Sequence, residues 1–110
     1  MVEHAARLDR TLVALADPTR RQILARLSRG EARVTELAEP LPISLNAVSK
    51  HIKLLERAKL VRRRIRGRDH YLTLNPAPLE EAALWIESRR TLWRARLEKL
   101  DEILQQEDKK

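Results

Sequence analysis

Glycine is scarce in this chain: Gly30 and Gly67 are the only two among its 110 residues. Glycine supplies the positive φ angles that many tight turns need, so a chain with so few of them is predicted to be mostly helical, with few special turns. Gly30 ends a predicted helix, and Gly67 lies in a predicted hairpin turn. The length is that of one typical domain, and we predict a single domain over residues 1–110.

Four helices are predicted before the hairpin, from apolar side chains spaced three and four residues apart and from capping residues. Asp17 followed by Pro18 is a helix start, and Thr35 and Ser44 are further N-cap candidates. The predicted helices cover about residues 3–16, 18–28, 36–39 and 45–58. The predicted core side chains of the second and fourth helices are Ile23, Leu24, Leu27, Val48, Ile52 and Leu55.

A β-hairpin is predicted next, because apolar and polar side chains alternate over residues 60–66 and 69–74 around Gly67. The hairpin and the helix before it also contain the net positive charge of the chain. Residues 49–72 contain nine Lys or Arg against Glu56 and Asp69, a balance of +7, which equals the net charge of the whole chain. Such a localised excess is expected of a surface that binds a polyanion.

The last predicted helix, over residues 79–106, has an apolar seam at the seven-residue spacing of a coiled coil. The repeat consists of Leu79, Ile86, Trp93 and Leu100, with Leu97 four residues after Trp93. A lone helix of this length with such a seam needs a partner surface. We therefore expect it to pack against the core of its own chain, against a second copy, or against both.

These elements, in the order helix–helix–helix–helix–strand–strand–helix, are typical of a mainly α fold with a small β-hairpin wing, the winged helix-turn-helix. In that fold the fourth helix lies in a DNA major groove, and the wing lies along the phosphate backbone. Predicted DNA contacts near the start of the helix come from Ser44, Leu45, Asn46, Ser49 and Lys50. Predicted phosphate contacts come from His51, Lys53, Arg57, Arg62, Arg64 and Arg66, and Arg68 at the hairpin tip suits a minor groove.

Three stretches of this region resemble the ArsR/SmtB family of bacterial repressors: ADPTRRQIL, AVSKHIKLLERAKLV and RGRDHYLTL. The resemblance covers residues 15–75 and implies a homodimeric repressor that binds double-stranded DNA at an inverted repeat. It implies a DNA-binding core over residues 17–75 and dimerisation helices over residues 1–16 and 79–106. The expected dimer interface includes Leu8, Leu12, Ile86, Trp93, Leu97 and Leu100.

Two positions depart from the family pattern, since Pro42 and Lys59 stand where the family often has glycine. If the backbone of Lys59 is left-handed, a side chain at this position costs on the order of 1 kcal/mol relative to glycine. Pro42 indicates a different turn before the fourth helix. Neither position changes the predicted fold.

The sequence argues against metal sensing and catalysis. It contains no cysteine, so thiolate metal sites and thiol nucleophiles are excluded. His4, His51 and His70 lie on three different elements without metal-ligand spacing, and no nucleophile–base set emerges. We therefore expect no metal, no cofactor and no enzymatic activity, and the chain resembles family members that do not sense metals.

No apolar run reaches the roughly 20 residues of a membrane span, and we expect a cytoplasmic protein that does not contact membranes.

Two other hypotheses remain open. The first is an RNA- or protein-interaction module that uses the same basic surface. RNA-binding modules usually stack bases on aromatic side chains, and the basic window offers only Tyr71. The second is a metal-responsive repressor whose site differs from the known family sites.

Overall fold

The computed structural model describes residues 2–108. Within this range the chain forms a mainly helical domain with a three-stranded antiparallel sheet. Its elements are α1 (Val2–Leu15), α2 (Pro18–Leu27), β1 (Ala32–Arg33), α3 (Val34–Ala38), α4 (Leu45–Arg57), β2 (Val61–Arg66), β3 (Asp69–Leu74) and α5 (Ala77–Asp108). The predicted order of helices and hairpin strands is confirmed. The short strand β1 is not among the elements predicted from the sequence.

Two of the three predicted N-caps are confirmed. The Asp17 carboxylate accepts a hydrogen bond from the backbone N–H of Arg20 at 3.0 Å, and the Ser44 hydroxyl accepts one from the backbone N–H of Ala47 at 3.1 Å. Each side chain satisfies a donor that would otherwise lack a partner at the start of α2 or α4. Ser44 therefore fixes where α4 begins.

The prediction that Thr35 caps α3 is wrong, because α3 begins at Val34 and its N-cap is Arg33. Pairing of β1 with β3 holds the chain extended through Arg33, so the helix starts directly after the strand. The Glu36 carboxylate reaches back to accept from the backbone N–H of Arg33 at 3.3 Å and from its Nε at 2.9 Å. Hydrogen bonding from the Arg33 side chain is the main reason that the pKa of Glu36 lies below its usual value.

The hydrophobic core lies between α2, α4 and the sheet. All six predicted core side chains of α2 and α4 are buried: Ile23, Leu24, Leu27, Val48, Ile52 and Leu55. The sheet and the segment before it add Leu60 and Leu72, both fully buried. Burial of one such aliphatic side chain contributes ~1.5–3 kcal/mol. This cluster therefore fixes which side of α4 faces inward and, by elimination, which side faces solvent.

Lys59 lies in the left-handed region, with φ of 63°. The backbone N–H of Lys59 donates to Glu56 O at 3.0 Å, and that of Leu60 donates to Leu55 O at 3.0 Å. This pair of bonds is the Schellman arrangement that ends helices, in which glycine usually takes the left-handed position. Lys59 therefore carries the backbone strain that its departure from the family pattern suggested.

The sheet has the strand order β1-β3-β2. In the hairpin, Val61 pairs with Leu74, and Arg66 pairs with Asp69 at the other end. Gly67 turns the chain between the two strands with φ of 62°, which confirms its predicted role. Val61 and Leu72 are buried against the core, so this register fixes the face of every other side chain in the wing.

Helix α5 extends beyond the rest of the domain. It contains 32 residues, of which only Ala82 is buried, and 32 helical residues span about 48 Å. The radius of gyration is 20.0 Å, whereas a compact chain of this length has one of about 13 Å. No helix within residues 2–108 combines the length and the apolar character needed to cross a membrane.

Candidate nucleic-acid interface

The outer face of α4 is polar and cationic. Asn46, Lys50, Lys53 and Arg57 are exposed along it, at the spacing of one helical face. Val48 and Ile52, on the opposite side, are fully buried. Leu45 is exposed in the first turn, and Ser49 is half-buried on the side that faces the hairpin. The structure thus places most of the predicted contacts of α4 on one accessible surface.

His51 lies apart from this surface, at the junction between α4 and α2. Its imidazole is half-buried, with Nδ1 at 3.2 Å from an Nη of Arg20 and at 3.8 Å from the Asp17 carboxylate. The pKa of Asp17 is lowered mainly by the hydrogen bond from the backbone N–H of Arg20, with a smaller contribution from His51. The prediction that His51 contacts a phosphate is untested, but its ring packs against α2.

A cleft of about 290 Å³ separates the start of α4 from the hairpin. Leu45 and Ser49 line it from α4, and Arg68 and His70 line it from the hairpin. Arg68, at the hairpin tip, is exposed. An exposed cationic side chain of the hairpin therefore lines the same cleft as the start of α4.

Arg63 fixes the hairpin to α4. Two of its guanidinium nitrogens donate to the Glu56 carboxylate at 2.7 and 3.2 Å, and a third lies 2.9 Å from Nδ1 of His70. A paired arginine–carboxylate contact of this kind is among the stronger polar contacts. Arg63 is not among the predicted site residues. The sequence nevertheless contains a signal for this role. Arg63 lies two residues after Val61, an apolar core residue, so the two side chains point to the same face of the strand.

The other three arginines of strand β2, Arg62, Arg64 and Arg66, lie on the opposite face of the sheet, away from α4. Arg64 contacts the Glu31 carboxylate at 3.1 Å. The guanidinium of Arg66 lies over the ring of Tyr71, at 5.2 Å from its centroid. Part of the positive charge that the sequence assigns to the wing is therefore paired within the chain.

The predicted interface residues of the terminal helices differ in their exposure. Leu8 is 9% exposed and is already buried within its own chain. Leu12, Ile86, Leu97 and Leu100 are exposed to solvent on α1 and α5, and Trp93 is 62% exposed. Helix α5 thus presents an apolar face that residues 2–108 of its own chain leave uncovered.

Among residues 2–108, no three His, Asp or Glu side chains converge as a metal site requires. Each histidine instead has an arginine as its neighbour. His4 lies 3.1 Å from Arg7, and the corresponding partners of His51 and His70 are Arg20 and Arg63. A permanently cationic guanidinium beside each ring disfavours a metal cation at these positions.

Comparison with known proteins is consistent with this geometry. A helix-turn-helix domain model matches residues 15–64. The HTH-type transcriptional regulator Rv2034 of Mycobacterium tuberculosis is 48% identical over 71 residues, which cover 64% of this chain and 66% of that protein. The transcriptional repressor SdpR of Bacillus subtilis is 30% identical over 79 residues, which cover 72% of this chain and 88% of that protein.

Solved structures agree with these relatives. The crystal structure of an ArsR family transcriptional regulator matches with a TM-score of 0.78 at 38% identity, covering 82% of this chain and 93% of that one. An ArsR-like transcriptional regulator from Rhodococcus sp. RHA1 matches with a TM-score of 0.77 at 32% identity, covering 90% and 93%. These relatives are transcriptional regulators, a class of proteins that are not enzymes. The chain therefore belongs to the ArsR/SmtB family of winged helix-turn-helix transcriptional regulators.

Proposed function

We propose that this regulator is a homodimeric repressor that binds an inverted-repeat operator in double-stranded DNA. The observation that carries the proposal is the exposed polar face of α4, with Asn46, Lys50 and Lys53. Arg68 of the wing lines the cleft at the start of the same helix. A major groove admits one α-helix of this kind. The polar face is held outward by a fully apolar inner face, so it is preorganised for the groove.

The residues of this surface fall into two groups, those that contact bases and those that contact phosphates. Asn46, in the first turn, has an amide that pairs bidentately with adenine, and Lys50 donates to guanine acceptors. Lys53 and Arg57 lie farther along the helix and suit phosphates, which supply affinity but no sequence information. Arg68 extends the phosphate surface to the wing tip. Asn46 should therefore affect which duplex is preferred, and Lys53 should affect binding to every duplex.

The wing arginines differ in their expected contribution. Arg62, Arg64 and Arg66 face away from α4, and Arg64 is paired with Glu31. We propose that these three attract DNA through the general positive field of the domain, while Arg68 contacts it directly. Substitution of Arg68 should then weaken binding more than substitution of Arg64.

The uncovered face of α5 supports dimerisation. Its apolar side chains include Ile86, Trp93, Leu97 and Leu100, which recur at heptad-related positions. A second copy of the chain would bury this face and place a second α4 about one helical turn of DNA away, ~10 bp or a multiple. An inverted-repeat operator follows from that two-fold symmetry.

The repressor assignment takes support from a relative whose name states this role, the repressor SdpR. The RNA-binding alternative is disfavoured by the surroundings of Tyr71. Its ring is half-buried, and Arg66 covers one face. Base-stacking platforms need an exposed aromatic face, so the basic window lacks the feature that single-stranded RNA requires.

DNA binding is tested by footprinting the region upstream of the gene, followed by anisotropy titrations of the protected duplex and a scrambled duplex. Lys53→Ala should weaken binding to both duplexes and reduce the salt slope by about 1, because one phosphate contact is lost. Lys99→Ala removes the same charge from α5 and is the matched control. Asn46→Ala should lower the preference for the protected duplex. If Lys53→Ala and Lys99→Ala behaved alike, α4 would not be the DNA-contacting helix.

Dimerisation is tested by light scattering after size-exclusion chromatography. Trp93→Asp puts a charge in the apolar face of α5 and should give a monomer, because an unpaired charge is costly in a buried interface. Thr91→Asp introduces the same charge on another side of the helix and should leave the dimer intact. A wild-type protein of monomer mass would refute the dimer.

A further inference from the structure

Two polar contacts, one on each flank of α4, include a histidine beside an arginine. On the α2 side, Nδ1 of His51 lies 3.2 Å from Arg20. On the wing side, Nδ1 of His70 lies 2.9 Å from Arg63. Both rings are half-buried. The DNA-binding helix is thus flanked by two contacts of the same chemical type.

The chemistry of these contacts determines which atom donates and which atom accepts. Arginine has only donors and stays charged at any physiological pH, so Nδ1 of the imidazole must be the acceptor. A histidine accepts at Nδ1 only when that nitrogen carries no proton. Protonation removes the hydrogen bond and places two cations about 3 Å apart, where they repel.

Both arginines also hold other parts of the domain. Arg20 donates to the carbonyl oxygens of Ala14 at 2.8 Å and Val13 at 2.9 Å, at the end of α1. Arg63 binds the Glu56 carboxylate of α4. Movement of either guanidinium away from a protonated ring would loosen these contacts too. Through these two arginines, His51 and His70 are each linked to a further element of the domain.

We propose that His51 and His70 are positioning residues whose neutral rings hold α4 and the wing in the geometry for specific DNA binding, so that mild acid reduces operator selectivity. Histidine is the residue type whose charge changes between pH 5 and 8. The inference rests on the proposed DNA-binding function and adds a pH dependence to it. It concerns selectivity, because protonated rings also add positive charge, which strengthens binding to any duplex.

Other charged groups also face these rings, and they include both carboxylates, which attract a positively charged ring, and arginines, which repel it. Asp17, 3.8 Å from His51, attracts the protonated ring and partly offsets repulsion from Arg20. Around His70, Arg63 and the cleft residues Arg33 and Arg68 are positively charged, whereas Asp69 and Glu56 are negatively charged. Whichever group dominates, a protonated Nδ1 cannot accept from arginine, so the geometry changes once the ring is charged.

The test compares affinity for the footprinted duplex with affinity for a scrambled duplex, at pH 7.5 and pH 5.5 and constant ionic strength. For the wild-type protein we expect the ratio of the two affinities to fall by about tenfold at pH 5.5, the size expected for loss of one hydrogen bond to a charged group. In the double variant His51→Gln/His70→Gln the ratio should not change with pH. Glutamine also accepts from arginine through its amide oxygen, but it does not titrate.

His4→Gln is the matched control, because His4 also neighbours an arginine and a carboxylate but lies between α1 and α5. This variant should keep the wild-type pH response. A wild-type ratio that is constant with pH, or a double variant that keeps the tenfold fall, would overturn the proposal.

A measurement without DNA separates this inference from the proposed function. Imidazole ¹⁵N spectra at pH 7.5 should show Nδ1 of His51 and His70 without a proton. A proton on either Nδ1 would refute the inference even if the protein binds its operator as proposed. If no duplex is selected at pH 7.5, the proposed function fails, and the spectra still decide whether the rings accept from arginine.

Discussion

Lys59→Gly should make the protein more stable. Lys59 has φ of 63° in the turn between α4 and β2, and the left-handed conformation costs an L-residue roughly 1–2 kcal/mol. Glycine avoids this cost but loses about 0.5–1 kcal/mol of backbone entropy on folding. The difference predicts a net gain of about 1 kcal/mol. The helix-ending hydrogen bonds of Lys59 and Leu60 involve backbone atoms only, so glycine keeps them.

Urea unfolding monitored by tryptophan fluorescence measures this gain. Every variant is measured at the same protein concentration, because the apparent stability of a dimer would depend on concentration. With a slope of ~1–3 kcal/mol per molar urea, a gain of 1 kcal/mol moves the midpoint up by roughly 0.3–1 M. Lys59→Ala is the matched control. It removes the same charge and side chain but keeps a residue with a Cβ in the left-handed position.

The difference in stability between the glycine and alanine variants measures the effect of the left-handed backbone alone. Lys59→Ala should stay within about 0.5 kcal/mol of the wild-type protein, as expected of an exposed substitution. Lys59→Gly should exceed it by about 1 kcal/mol. Equal midpoints for the two variants would show that the backbone at Lys59 is not strained, and would refute the reasoning.

Three further predictions concern stability. Ser44→Ala removes the N-cap of α4 and should lower the free energy of unfolding by about 1 kcal/mol, whereas Thr35→Ala, at a position that does not cap α3, should change it much less; urea midpoints of both variants check this. Gly67→Ala forces a Cβ into the left-handed turn of the wing and should cost about 1 kcal/mol by the same assay. The pKa of Asp17 is lowered in the folded protein, so its stabilisation is present above the pKa of the unfolded chain and is lost as the pH falls through the lowered value. The drop in urea midpoint between pH 5 and pH 3 should therefore be smaller in Asp17→Asn than in the wild-type protein, and an unchanged drop would contradict the cause assigned to the shift.

The local signals in the sequence predicted the helices well. Asp17 and Ser44 are capping residues whose effect is confined to one turn, and Gly67 is a turn residue that acts locally, so all three could be read without knowledge of the fold. The apolar face of α4 was also predictable, because its period of three and four residues is a property of the helix alone.

Features that depend on distant contacts could not be predicted in this way. Strand β1 has two residues, too few for an alternating pattern, and it exists because Ala32 and Arg33 pair with β3. That pairing moved the start of α3 away from Thr35. The contact between Arg20 and His51 joins residues 31 positions apart, and neither residue carries a local signal for it.

Helix α5 links the folding of the chain to its concentration. Isolated helices have marginal stability in water, and beyond Ala82 this one has no buried side chain of its own. Its order must then come mainly from whatever covers its apolar face. If that cover is a second copy, dilution both separates the subunits and lets the end of the helix unwind, which exposes its backbone to proteases. The cellular lifetime of the regulator would then fall together with its abundance.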